Sequence, residues 1–159
     1  MSGLPRIRAA LTLVLLLGAC EYIGENNYKP KSEVIGRFQD RTVLYYGGWR
    51  LVVYYAADGQ AYFWPGRSQS IIRGQWKLDE TSSSNRICTR HEPYKYDPIT
   101  GVDYSQWRCV LLSYDESYTM DEAPGDPLDL RRRLTTPFTF QSVSHDTIDE
   151  IRKSLPALP

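Results

Sequence analysis

The chain has 159 residues and balances 19 Lys and Arg against 19 Asp and Glu. That length suits one domain with its own core, and a formal net charge of zero provides no global field to attract nucleic acid or another polyanion. Twelve tyrosines and four tryptophans point to pleated, half-buried surfaces and so to β structure.

The first twenty residues have a layout of their own. Arg6 and Arg8 precede an apolar run over residues 9–17, and no acid appears before Glu21. A cationic segment followed by a short apolar one is the pattern of a secretory signal. The run is too short to span ~30 Å of hydrocarbon, which needs about 20 residues as a helix. It ends in Leu17-Gly18-Ala19-Cys20, which resembles the lipobox of bacterial lipoproteins. The resemblance implies a diacylglyceryl thioether on Cys20, cleavage before it, and acylation of the new amino group. Several acyl chains exceed what stable membrane anchoring requires. The alternative is an ordinary secreted protein cut after a small residue, with Cys20 as a structural thiol. Glu21 stands where an Asp would signal inner-membrane retention, so the outer membrane, facing the periplasm, is the expected address. Loss of Arg6 and Arg8 leaves 17 cations against 19 acids, a charge near −2. With Cys20 lipidated, Cys88 and Cys109 remain as one pair, and an oxidising compartment favours their disulfide.

Residues 20–36 are polar and weakly periodic and are expected to form a lipidated tether. A β domain is expected over 37–143 and a C-terminal helix and tail over 144–159. Residues 42–46 and 49–57 are rich in Val, Leu, Tyr and Trp, with Gly47-Gly48 between them. Asp58-Gly59 separates two aromatic runs and predicts a two-residue type I′ hairpin. That loop would set Tyr55 opposite Tyr62 and Val53 opposite Trp64, with all four on one face. Ile72, Gly74, Trp76 and Leu78 alternate with polar residues as in a strand with one wet face. Thr81-Ser82-Ser83-Ser84-Asn85 is a loop by composition. Residues 86–90 and 107–114 form a further candidate pair in which Cys88 lies opposite Cys109 and Arg86 opposite Leu111. The acidic, Pro- and Gly-containing stretch from Tyr114 to Asp129 predicts a long loop, and Phe138-Thr139-Phe140-Gln141 a last strand. Asp146 is the expected N-cap of a final helix, with Asp149 at N3 and Arg152-Lys153 near its end. Short strands joined by turns predict a mainly β fold: a small antiparallel barrel or curled sheet, lipocalin-like, with a short C-terminal helix.

Chemistry-bearing motifs are sparse. Gly66-Arg67-Ser68-Gln69-Ser70 matches a nucleophile elbow for four positions and then lacks the second glycine. His91 and His145 have no identifiable partners. Cys88-x-x-His91 with Cys109 lacks the fourth ligand of a structural zinc site, and Glu92, Asp97 and Asp103 do not follow calcium-loop spacing. No catalytic residue, metal or cofactor is therefore expected. Arg131-Arg132-Arg133 is a compact basic patch, read as a solvated turn or a contact for an anionic surface. The loop between the cysteines interleaves Tyr94, Tyr96, Tyr104 and Trp107 with Asp, Gln and Ser, a composition suited to flat ligands, sugars or protein partners. The same rings could instead cap the open end of the sheet.

Tyr55-Ala56-Ala57-Asp58-Gly59, Gly74-Gln75-Trp76-Lys77, Ile87-Cys88 and Cys109 together resemble small exported proteins of unknown function from alphaproteobacteria. The resemblance spans residues 42–112 and implies a compact periplasmic β domain without a catalytic residue to carry over. The expected function is a non-enzymatic binding or structural module of the cell envelope, held to a membrane through Cys20 and contacting an envelope protein or glycan. The alternative is a small β-barrel inhibitor of an envelope-attacking enzyme such as lysozyme.

Overall fold

Three successive runs are apolar at consecutive positions rather than at alternate ones, and they become strands β1 (Arg41–Tyr46), β2 (Arg50–Tyr55) and β3 (Gln60–Pro65). Each is buried on both faces, which is why its sequence lacks the in–out alternation of a half-wet strand. A computed structural model describes residues 31–46, 50–79, 85–92, 96–97, 102–103, 106–140 and 145–158. The signal segment, Cys20, Gly47-Gly48 and residues 81–84 lie outside these ranges.

Helix α1 (Lys31–Phe38) precedes the sheet, and β4 (Ile72–Asp79), β5 (Arg86–Glu92), β8 (Arg108–Leu111) and β9 (Thr119–Pro124) complete it. The order is β8-β5-β4-β3-β2-β1-β9, antiparallel throughout. Two short strands, β6 (Tyr96–Asp97) and β7 (Val102–Asp103), form a separate ladder. Strands β8 and β9 end the order on opposite sides, yet only the seven-residue helix α2 (Leu112–Tyr118) joins them. Such a helix spans about 10 Å, whereas seven flat strands would hold the edges about 29 Å apart. The sheet is therefore curled into a half-barrel whose open seam is crossed by α2. The mainly β, curled-sheet expectation holds.

The inner face gathers Val43, Tyr45, Val53, Tyr55, Phe63, Trp76 and Ile87, and is covered by Val34 and Phe38 of α1 and Leu112 of α2. The outer face of β1–β3 presents Leu44, Val52, Tyr54, Tyr62 and Trp64. It is covered by Leu128, Leu130 and Phe140 and by Ile148 and Ile151 of helix α3 (Ile148–Ser154).

Several expectations need correction. The tether does not extend to residue 36, because α1 begins at Lys31 and drives Val34 and Phe38 into the core. The Asp58-Gly59 hairpin has three loop residues, not two: Ala56 and Gln60 close it, and Gly59 alone adopts positive φ, at 82°. A type I turn followed by a left-handed glycine produces this G1 bulge. The extra residue moves the register by one, to Tyr54 opposite Tyr62 and Val52 opposite Trp64. Because side chains alternate, Tyr55 and Val53 go inward while Tyr62 and Trp64 go outward. The candidate strand 107–114 ends at Leu111, with α2 beginning at the next residue, and the predicted loop after Tyr114 holds the rest of α2 and β9, an edge strand where acids and a terminal proline are tolerated. Phe138 and Phe140 form no ladder; they lie against Trp64 with ring centroids 5.2 and 4.5 Å away. The last helix starts one residue later than expected. Thr147 is its N-cap, in a capping box with Glu150, while Asp149 pairs with Arg152 and Lys153.

Gly74 explains the Gly-x-Trp motif. A Cβ there would stand 2.1 Å from the Arg90 carbonyl oxygen and 2.8 Å from Phe63 Cε2, so only glycine lets β5 and the Phe63 ring close over β4. Among the described residues, no helix is long and apolar enough to cross a membrane.

Candidate binding surface

The C-terminal segment covers β1–β3 but leaves the outer face of β4, β5 and β8 polar. Directly opposed residues of an antiparallel pair share a face. Gln75 opposite Arg90, Lys77 opposite Cys88 and Cys88 opposite Cys109 therefore fall in one patch. Cys88 and Cys109 are disulfide-bonded across this pair, in the predicted register. Lys77 is exposed, and Arg90 is half-buried with its Nε donating to Gln75 Oε1 at 2.8 Å.

Trp107 lies just ahead of β8, beside the bridge. Lys77 Nζ is 4.5 Å and the Arg90 guanidinium carbon 4.8 Å from its ring centroid. Each such cation–ring contact contributes about 0.5–1 kcal/mol at a wet site. The indole is thus held by two cations, one of them (Arg90) itself bonded to the Gln75 amide, outside both apolar clusters. A ring bordered by donors can stack on a sugar or planar group while the cations meet its anionic substituents.

Of the other ring residues predicted for this loop, Tyr96 is placed in β6, with its backbone opposite Asp103. Tyr94 and Tyr104 lie outside the described residues, as does the side chain of Tyr96. The structure thus brings Trp107 and the Cys88–Cys109 bridge together and places only the backbone of Tyr96 among the three tyrosines.

The remaining candidates resolve into packing. His91 faces inward, its ring 4.4 Å from that of Phe63, and burial, helped by the charge of Arg108, lowers its pKa to about 4. The imidazole is neutral at physiological pH. His145 packs against Phe138. The carboxylate of Asp79 stands near Cys88 and Cys109, but those sulfurs are bonded to each other and are not thiolate ligands. The run Arg131-Arg132-Arg133 is not one solvated patch. Arg131 pairs with Asp58, whereas Arg133 is buried and donates to the carbonyl oxygens of Leu128 and Pro156. Successive residues in this turn point to different sides, which composition cannot reveal.

One polar cluster had no signal in the sequence. Asp115 of α2 is buried, and its Oδ2 accepts from Tyr45 Oη at 3.2 Å. Tyr45 Oη is in turn 2.9 Å from Tyr55 Oη. Burial raises the Asp115 pKa to about 6, against the Tyr45 hydrogen bond and the positive charge of Arg37, which both lower it. Arg37 of α1 pairs with Glu116 of α2 and with Glu122 of β9, at 2.8 Å for the latter. These contacts tie both inner helices to the sheet along its seam.

No known protein family, curated protein or solved structure matches this chain.

Proposed function

We propose that the protein is a lipid-anchored, non-enzymatic binding or structural module of the bacterial cell envelope, held at the outer membrane through Cys20 and facing the periplasm. The observation that carries the binding role is the Trp107 shelf: an indole set between Lys77 and Arg90 next to the Cys88–Cys109 bridge. Pre-ordering these side chains lowers the entropy lost when a partner arrives. The Leu17-Gly18-Ala19-Cys20 motif supports the anchor, and the disulfide suits an oxidising compartment. The titratable side chains inside the sheet serve packing: His91 is held neutral against Phe63, and Asp115 is bonded to Tyr45. An envelope glycan is the favoured partner class, because a ring flanked by cations suits a sugar bearing carboxylate groups.

The test uses the purified, lipidated protein in detergent with isolated peptidoglycan sacculi and, separately, with lysozyme. Sacculus capture that is lost in Trp107→Ala and weakened in Lys77→Gln, at an unchanged melting temperature, is the expected outcome. Unchanged capture by both variants defeats the shelf as the contact. Capture of lysozyme instead of sacculi replaces the reading with that of an inhibitor.

A further inference from the structure

Large apolar side chains that remain exposed are unevenly distributed. Among the described residues they are Tyr46, Val110, Leu111, Tyr114, Tyr118, Met120 and Leu134. All but Leu134 belong to residues 110–120 or to the end of β1 beside them. Tyr46 is 60% and Tyr114 56% exposed. The Tyr114 and Tyr118 rings, one helical turn apart on α2, are 4.6 Å from each other. Tyr45 pairs with Thr119, which places Tyr46 next to Tyr118, and Met120 is the extra residue where the β1–β9 register shifts. Tyr46, Tyr114, Tyr118 and Met120 therefore gather at the seam of the half-barrel. Its outward helical positions, Ser113, Tyr114, Ser117 and Tyr118, carry no charge. The acids of α2 are engaged elsewhere: Asp115 faces the core and Glu116 pairs with Arg37.

Tyrosine has an apolar body and a polar tip, the combination that collects at the boundary of lipid and water. An uncharged strip of such residues with a flexible methionine fits a headgroup layer better than it fits a charged protein partner. The helix by which the chain enters the domain also reaches this place, about 9 Å from its first residue. Helix α1 is ion-paired to α2 through Arg37 and Glu116, and Lys31 begins it. The residues from Cys20 to Lys31 reach at most about 40 Å when extended, so the anchor can bring α2 down to the bilayer.

We infer that Tyr46, Tyr114, Tyr118 and Met120 rest in the headgroup region of the anchoring membrane and set the orientation of the domain. The inference builds on the lipid-anchor reading above. Trp107 precedes Leu111 by four residues, about 13 Å along the strand. Seating α2 on lipid therefore turns the disulfide-bound loop and the Trp107 shelf away from the surface, where a partner can reach them.

The test takes the lipidated protein reconstituted in vesicles of phosphatidylethanolamine with a minority of phosphatidylglycerol and a photoactivatable phospholipid. Cross-linked peptides are then mapped by mass spectrometry. The label should concentrate in residues 110–120 and around Tyr46, and the double variant Tyr114→Ser/Tyr118→Ser should lose most of it. Tyr114 is 56% and Tyr118 37% exposed, so the melting temperature is read beside the label, and Tyr114→Ser alone, which should keep it, must also lose label. Acylated protein that floats with the vesicles but is labelled elsewhere overturns the orientation and leaves the anchor intact. Protein without acyl mass that stays behind when vesicles float overturns the anchor and the inference with it. Copy-to-copy cross-links through residues 110–120 replace the membrane with a second copy as occupant.

Discussion

Replacing Asp115 by asparagine should change how stability depends on pH. The carboxyl is 7% exposed and has Tyr45 Oη as its hydrogen-bond donor. Burial lifts its pKa from 3.8 to about 6, partly opposed by the Tyr45 bond and Arg37. Because the folded-state pKa is the higher one, the folded protein holds the proton more tightly than the unfolded chain. Its stabilising effect is complete below about pH 4 and disappears as pH rises through about 6. At 1.36 kcal/mol per pKa unit, this one group removes about 3 kcal/mol of stability between those limits. His91 acts with the opposite sign in an overlapping window. Its folded pKa is lowered from 6.5 to about 4, so stability falls as pH drops through that range. In the wild type the two contributions oppose each other over this window. Asparagine keeps an oxygen for Tyr45 but cannot ionise, so the Asp115→Asn profile should show the rise with pH due to His91 unopposed by residue 115. Urea midpoints of both proteins between pH 4 and pH 7 provide the test. The variant should gain on the wild type by up to about 3 kcal/mol towards neutral pH, a figure already net of the attraction to Arg37. Parallel profiles would refute the raised pKa.

Replacing Cys88 and Cys109 together by serine should lower the denaturant stability by about 3 kcal/mol, the chain-entropy value for a bridge with a sequence separation of 21. Thiol labelling of the native protein should modify neither residue. Gly74→Ala should destabilise by about 1–3 kcal/mol or more, because its Cβ would meet the Arg90 carbonyl at 2.1 Å and force β4 and β5 apart. Faster amide exchange confined to those two strands would identify that cause. Arg133→Met should cost about 1–3 kcal/mol for each carbonyl left without its donor, at Leu128 and Pro156. Arg131→Met, two residues away and exposed, should leave the melting temperature nearly unchanged.

Local pattern was enough for much of the sheet. The alternation around Trp76 located the half-wet strand β4, and the pairing of Cys88 with Cys109 followed once two cysteines had to share one sheet. Trp107 stood out because large rings beside a disulfide are visible in sequence. What composition could not reach were features set by one residue more or less. Asp-Gly signalled a turn at the right place, but whether two or three residues form its loop depends on how Trp76 docks on it, through Nε1 to the Ala56 oxygen at 2.8 Å. That choice decides which face receives Tyr55. Helix α2 has seven residues and no side-chain cap, so nothing local marks it. It exists because the curled sheet brings β8 and β9 within one short helix of each other, and Leu112 and Asp115 find inner-face partners there. Covalent and periodic features, such as the lipobox-like motif, the cysteine pair and the strand alternation, are properties of the chain itself and need no partner to be read. Registers, seams and buried polar contacts depend on residues far apart in sequence, and only folding brings those together.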